Sequence, residues 1–320
     1  MTEYAVRVRG LRKRYGEVTA VNGVDLDIRR GEVFGLLGPN GAGKSTTVEI
    51  LRGHRARDAG EVSVLGADPA RAGRGWQARI GIVWQDESAA EESTVQETVR
   101  HFARYYPRPR DPDEVIALVG LEEKARSRTK ALSGGQRRRL DVALGVIGRP
   151  ELLLLDEPTT GFDPVARRQF WQLIRALADE GTTIVLTTHY LEEAEALADR
   201  LAVIAAGRLL ATGEPATLAG RGEAEAIVRW TDPDGREYEA VTAEPTALVG
   251  ELAARYGGEV PGLRVTRPTL EDVYLGLIGH GRDGGSGHGG GSGHAGSDHG
   301  RDGGSGQGDD SHHTREGSKR

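Results

Sequence analysis

Gly38-Pro39-Asn40-Gly41-Ala42-Gly43-Lys44-Ser45-Thr46 is the stretch on which the reading of this chain turns. Ahead of it stands the apolar run Val33–Leu37, and behind it a segment of helical composition. A strand that enters a glycine-rich turn and leaves as a helix, with the spacing G-x-x-x-x-G-K-[ST], forms a cradle for phosphate. The glycines let consecutive backbone N–H groups face one anion, and the helix adds the positive end of its dipole. Lys44 then reaches the β- and γ-phosphates, while Ser45 offers its hydroxyl to Mg²⁺. ATP with Mg²⁺ is the ligand that this loop implies.

A second stretch, Leu152-Leu153-Leu154-Leu155-Asp156-Glu157, supplies what the loop lacks. Four successive leucines suit a strand buried on both faces, at the centre of a parallel sheet. The two carboxylates at its carboxyl end fall where open α/β sheets bind their ligands. Asp156 is expected to hold Mg²⁺ through its water shell, and Glu157 to orient and polarise the attacking water.

Moving outward, residues 1–220 alternate strand-like and helical runs, the pattern of an α/β core with a largely parallel sheet. Ile80–Gln85, Ile184–Thr187 and Leu201–Ala205 are further short apolar strands, and helices are expected after Gly43, from Thr94 and over Pro164–Asp179. Residues 221–279 read as a smaller unit. It has two strands (Ala226–Trp230 and Tyr238–Val241) around the turn Asp232-Pro233-Asp234-Gly235, then helices over Thr246–Tyr256 and Leu270–Ile278. Thr269 and Asp272 stand at capping-box spacing, and Leu270, Val273, Tyr274, Leu277 and Ile278 share one helical face that calls for burial. Residues 280–320 are mostly Gly, Ser, His and Asp, with Ala295 the one apolar residue; they bury too little surface to offset the entropy of ordering, so a disordered tail is expected.

The 320 residues carry 37% hydrophobic side chains, enough for a packed core, and a formal charge of -6, which argues against broad electrostatic binding to nucleic acid. The absence of cysteine excludes disulfides, thiolate metal sites and a cysteine nucleophile. The N-terminal segment MTEYAVRVRG lacks the apolar core of a signal peptide. The longest apolar runs fall far short of the ~20 residues that span a bilayer. Any role at a membrane is therefore expected to depend on a partner.

Leu132-Ser133-Gly134-Gly135-Gln136, just ahead of the leucine strand, narrows the field. It matches the signature of ABC ATPases, and residues 1–220 resemble an ABC nucleotide-binding domain, most closely the ATPase subunits of drug-export (ABC-2) transporters of the daunorubicin-resistance type. The run Arg267-Pro268-Thr269-Leu270-Glu271-Asp272-Val273-Tyr274 resembles one common near the end of those subunits. The resemblance implies a P-loop NTPase core with an antiparallel β portion at the N-terminus and a helical portion bearing the signature. It also implies that Ser133, Gly134, Gly135 and Gln136 close on ATP held by a second copy. Physically, Ser133 and the glycines open a helix and so make a second anion-binding terminus.

Other roles come from the resemblance alone. Tyr15 is similar to the aromatic that stacks on adenine, and Gln85 to the glutamine that contacts Mg²⁺ and the attacking water. Asp163, in Thr160-Gly161-Phe162-Asp163-Pro164, is similar to the residue of the loop linking two sites across a dimer, and it suits a helix N-cap as well. His189 resembles the histidine that contacts the γ-phosphate. The function implied is ATP hydrolysis by a homodimer at the cytoplasmic face of the membrane. It would drive export of a drug-like or other hydrophobic compound through an integral membrane permease on a separate chain. A non-transport ABC ATPase acting on nucleic acid or the ribosome is the alternative, weakened by the single phosphate loop and the lack of a heptad array. Glu157 and His189 argue against a mere ATP-binding switch.

Overall fold

The computed structural model describes residues 3–84, 92–232 and 234–283. From the N-terminus, β1 (Tyr4–Tyr15) and β2 (Val18–Arg29) form a hairpin, β3 (Val33–Leu37) runs into α1 (Lys44–Leu51), and β4 (Ala59–Val64) returns to β1. After α2 (Arg74–Gln77) and β5 (Ile80–Val83) come three helices, α3 (Val95–Ala103), α4 (Pro112–Leu118) and α5 (Gly134–Val146). The chain then alternates through β6 (Leu152–Asp156), α6 (Pro164–Asp179), β7 (Thr183–Thr188), α7 (Leu191–Leu197), β8 (Arg200–Ala205) and β9 (Arg208–Gly213). It closes with β10 (Ala226–Thr231), β11 (Glu237–Thr242), α8 (Pro245–Tyr256), β12 (Arg264–Thr266) and α9 (Leu270–Asp283).

The central sheet has the order β5-β6-β7-β3-β8-β9, and only β9 runs antiparallel to its neighbour. Every residue of β3, β6 and β7 is buried, because both faces of the sheet are covered. Alternate side chains divide between the two faces. Phe34, Leu36, Leu152, Leu154 and Val185 pack with Val6, Val8 and Leu11 of the antiparallel sheet β2-β1-β4. Val33, Leu153, Leu155, Ile184 and Leu186 pack with α3, α5 and α6 through Val99, Val146 and Phe170. Each large side chain so enclosed contributes roughly 1.5–3 kcal/mol. The leucine run thus joins two hydrophobic layers, which is why it tolerates no polar residue until Asp156.

Parallel order sends the carboxyl ends of β3, β6 and β7 to one edge, and the phosphate loop, Asp156-Glu157 and His189 follow those ends in turn. Local chemistry fixes the flanking helices. Thr94 and Glu97 form a capping box at α3. Asp163 caps α6 with Pro164 at its first position, so the helix begins and ends as the sequence suggests.

Beyond β9, the strands order as β11-β10-β12 with α8 alongside β10. β12 is exposed at all three residues, so no apolar pattern announces it in the sequence. Thr269 Oγ1 accepts from the Asp272 N–H at 3.1 Å, and the Asp272 carboxylate accepts from the Thr269 N–H at 2.8 Å, the reciprocal cap that starts α9. Leu270 is buried, and Val273, Tyr274 and Leu277 pack around Leu37, Ala194, Leu201, Val203 and Leu218. The helix runs on to Asp283, past the Ile278 end that its apolar face suggests. Residues 284–320, with most of the Gly/Ser/His/Asp tail, lie outside the described residues. Among the described residues, no helix is long and apolar enough to cross a membrane.

Candidate active site

Two glycines show why the loop after β3 is written as it is. A Cβ on Gly38 would meet the Ile204 carbonyl oxygen at 2.2 Å. At Gly43, with φ 102, one would meet the Ala20 carbonyl oxygen at 2.2 Å. The loop is thus pressed against β8 on one side and β2 on the other, in a conformation that only glycine allows without strain. α1 begins at Lys44 and carries no acidic residue in its first turn, so its positive end is left facing the loop.

A cavity of about 650 Å³ opens here, lined by Tyr15, Ala20, Asn40, Gly41, Ala42, Gly43, Lys44, Ser45, Thr46 and Glu157. Lys44 is only 4% exposed, and its Nζ donates to the carbonyl oxygens of Gly38 at 2.8 Å and Pro39 at 3.2 Å. It also lies 3.7 Å from Glu157 Oε1. Burial lowers the Lys44 pKa, and the carboxylates of Glu157 and Asp156 oppose that shift. The result is a partly desolvated ammonium beside a loop of N–H groups, an arrangement that attracts a polyanion.

Asp156 is buried at the end of β6. Its Oδ1 accepts from Ser45 Oγ at 3.3 Å and from Thr187 Oγ1. A buried carboxylate and a hydroxyl at the mouth of a phosphate loop are hard oxygen donors of the kind Mg²⁺ takes.

Glu157 follows with φ 44, a left-handed backbone that a residue with a side chain rarely adopts. Its N–H is fixed by the Thr187 carbonyl oxygen at 3.1 Å and by Thr187 Oγ1 at 3.0 Å. The turn brings its carboxylate to the cavity, with Oε1 3.2 Å from His189 Nδ1. His189 in turn lies against Tyr190, ring centroids 4.0 Å apart and the planes tilted by 41°.

Lys44, Ser45, Asp156, Glu157 and His189 are therefore brought together. Tyr15 lines the same cavity, 39% exposed, with the Arg55 guanidinium 5.1 Å and Lys13 Nζ 5.6 Å from its ring centre. Ser133–Gln136 and Asp163 are not among the residues lining the cavity. Ser133 and Gln136 form a capping box at α5: Ser133 Oγ accepts from the Gln136 N–H at 3.3 Å, and Gln136 Oε1 accepts from the Ser133 N–H at 3.0 Å. Asp163 Oδ1 accepts from the N–H groups of Val165 and Ala166, both at 2.9 Å. Gln85 lies outside the described residues.

Two charged side chains buried close to the site escaped the sequence reading. Arg138, on α5, donates to the carbonyl oxygens of Trp84, Asp156 and Pro158. Glu193, on α7, is fully buried facing Thr159, Thr188 and Trp171, and burial pushes its carboxyl up. Periodicity held a signal for both. Arg138, Val142, Gly145 and Val146 recur at i, i+4, i+7 and i+8, as Glu193 and Leu197 do at i and i+4, so each charge interrupts an apolar face.

Fold and site together define a P-loop nucleotide-binding domain. Comparison with known proteins narrows that class: the family model described as "ABC transporter" matches residues 21–160. The chain is 41% identical over 300 residues to Nod factor export ATP-binding protein I of Ralstonia nicotianae, covering 85% of this chain and 93% of that one. It is 40% identical over 311 residues to daunorubicin resistance ATP-binding protein DrrA3 of Streptomyces coeruleorubidus, covering 88% and 98%. Among solved structures it resembles cbiO1 of Clostridium perfringens, part of the ABC transporter complex cbiONQ (TM-score 0.61, 30% identity, 67% of this chain and 90% of that one). A dimeric ATP-binding cassette in a post-hydrolysis state bound to ADP and Pi matches with TM-score 0.59 and 25% identity, over 65% of this chain and 98% of that one. The chain belongs to the ABC transporter ATP-binding subunits, and it is an ATPase of that family.

Proposed function

We propose that this subunit powers export of a drug-like or other hydrophobic compound, working as a homodimer on a separate permease at the cytoplasmic face of the membrane. Relatives named for Nod factor export and for daunorubicin resistance support the export direction and the ligand class. In this reading residues 1–220 are the nucleotide-binding domain, 221–279 an accessory unit and 280–320 a tail without chemistry.

One observation carries the catalytic reading: a Glu157 carboxylate turned into the cavity by a left-handed backbone, 3.7 Å from Lys44 Nζ and 3.2 Å from His189 Nδ1. The loop N–H groups and Lys44 bind the phosphates of ATP and stabilise charge as the γ-phosphoryl leaves. Glu157 accepts a hydrogen bond from the attacking water and draws off its proton. His189 orients the Glu157 carboxylate and contacts the γ-phosphate, and Gln85 meets the same water. Tyr15 stacks on the adenine ring. Ser45 and Asp156, with Gln85, would hold Mg²⁺, which would neutralise phosphate charge. Ser133, Gly134, Gly135 and Gln136 close on the ATP of the other copy, and Asp163 links the two sites.

Glu157→Gln tests this directly, since it keeps shape but removes the negative charge. Hydrolysis should fall about 10²–10⁴-fold, the range for lost acid–base assistance. Nucleotide binding should persist, and size-exclusion chromatography should show a dimer with ATP but not with ADP. Normal phosphate release, or a monomer at saturating ATP, would refute the role.

A further inference from the structure

α5 turns one arginine inward, and what it holds is the backbone around Glu157. The Arg138 side chain is 9% exposed. Its Nε donates to the Pro158 carbonyl oxygen at 3.1 Å, and its Nη2 to the Asp156 carbonyl oxygen at 2.7 Å. These two carbonyls bracket Glu157. Its Nη1 donates to the Trp84 carbonyl oxygen at the end of the strand β5 segment. A guanidinium presents its donors in a fixed plane, so three such bonds fix three backbone segments relative to one another.

Packing alone does not call for this residue. A buried charge is unfavourable unless it is fully hydrogen-bonded, and an apolar side chain of similar size would fill the space at lower cost. What the site contains instead is a strained residue. A left-handed φ of 44 at Glu157 persists only where the surroundings over-determine it. The Glu157 N–H is held by Thr187 from the β7 side, and the carbonyls on either side are held by Arg138 from the α5 side.

We propose that Arg138 is a positioning residue for hydrolysis: its guanidinium clamps the carbonyls of the residues on either side of Glu157 and so aims that carboxylate at the attacking water. This rests on the reading of Glu157 given above. Arg138 stands five residues beyond Ser133 in one helix, about 7.5 Å along its axis at 1.5 Å per residue. When Ser133 engages the nucleotide of the second copy, any shift of α5 is carried by Arg138 to the carbonyls beside Glu157. Closure of the dimer is thereby sensed at the residue that handles water.

The test uses the full chain and the variants Arg138→Lys, Arg138→Met and Glu157→Gln, with Arg138→Lys also placed on Glu157→Gln. Lysine keeps the charge but loses the planar fork, and methionine keeps only the volume. Arg138→Lys should lower kcat by about 10²-fold, the scale of a 1 Å misplacement of a catalytic group. The Kd for ATP, read with a fluorescent analogue, should stay within about twofold of the parent because the phosphate loop is untouched. On Glu157→Gln, the same change should cost almost nothing more, since both act on one group. A purely structural arginine would lower the rate by the same factor in both backgrounds, and that result overturns the proposal. So does an Arg138→Lys or Arg138→Met protein with full kcat. Where Arg138→Met does not fold, Arg138→Lys decides alone. If Glu157→Gln itself hydrolyses at the parent rate, the Glu157 reading has failed; if Glu157→Gln is inactive while Arg138→Lys is fully active, only the clamp has failed.

Discussion

The carboxyl ends of β3, β6 and β7 and the small sheet β11-β10-β12 are built from the same alternation of strand and turn, yet they distribute their polar groups in opposite ways. At the first, all sixteen strand residues are buried (five, five and six), and Lys44, Asp156, Arg138 and Glu193 are buried with them. Glu157 adds a strained backbone. At the second, β12 is exposed throughout, and Tyr238, Val241 and Val265 stand 42%, 58% and 46% exposed. Its charges meet in surface pairs such as Arg229–Glu239 at 2.6 Å, which are worth about 0–1 kcal/mol. Burying charge opposes stability, so a fold keeps it where chemistry needs a field that water would screen. The two regions should therefore respond to mutation in opposite senses: loss of rate without loss of fold in one, loss of fold without loss of rate in the other.

The sharpest attempt to break that contrast is Lys44→Met. Removing the ammonium should cut ATP hydrolysis by 10³-fold or more, on the scale of other charge-stabilising groups in phosphoryl transfer, and should weaken ATP binding. Burial lowers the Lys44 pKa, which means that the folded state disfavours its charged form. Methionine relieves that penalty while giving up the bonds to Gly38 and Pro39 and the approach to Glu157. The melting temperature without nucleotide should stay within about 3 °C of the parent or rise, a change of roughly 1 kcal/mol. A collapse in thermal stability would show that the lysine is structural.

Leu270→Ala probes α9, the helix that follows the small sheet. Leu270 is 1% exposed and fixes α9 against Ala194, Leu201 and Leu218. Truncating it should cost about 2–5 kcal/mol from lost burial and the cavity left behind. Each kcal/mol corresponds to about 2–4 °C in melting temperature for a chain of this size. Turnover at 25 °C should remain within about twofold, because no group matched to chemistry lies in that unit. A tenfold fall in kcat with an unchanged melting temperature would mean that α9 steers α7, and with it His189.

The same contrast explains what could be read in advance. Val33–Leu37 coincides with β3 and Pro164–Asp179 with α6, because burial on both faces and an Asp-Pro cap leave a one-dimensional trace. The loop glycines, Lys44, Ser45, Asp156 and Glu157 were legible for a related reason: each is constrained by neighbours close in sequence or by the end of its strand. β12 was not legible, since an exposed strand of three residues has no pattern to show. Arg138 was missed because its partners, Trp84, Asp156 and Pro158, lie far from it in sequence and offer backbone oxygens, which no side-chain motif records. The signature itself reads doubly. Ser133 and Gln136 close a helix cap within the chain, and their contact with a second copy's nucleotide remains a proposal.

Asp141 offers the smallest effect and the finest test. It lies one turn beyond Arg138 on α5, half-buried, and burial pushes its carboxyl up to about 6 against the pull of Arg138 and Arg137. Its unfolded value is near 3.9. A carboxyl raised in the folded state holds its proton there while the unfolded chain has already released it, so this group makes stability fall as pH rises from about 4 through about 6. Above that window the native protein carries an ionised Asp141 that its surroundings disfavour. Asp141→Asn should then raise the melting temperature at pH 7.5 by about 2–4 °C, the shift that roughly 1 kcal/mol produces in a chain of this size. The gain should shrink on acidification and vanish below about pH 4, where Asp141 is protonated in the folded and the unfolded chain alike. Turnover should change less than twofold, since Asp141 touches neither the cavity nor the three carbonyls held by Arg138. Melting curves for parent and variant from pH 4 to pH 8 decide the matter. If Asp141→Asn is less stable than the parent at pH 7.5, the attraction to Arg138 outweighs burial, and that attraction belongs to the framework of α5 rather than to the load placed on it by the site.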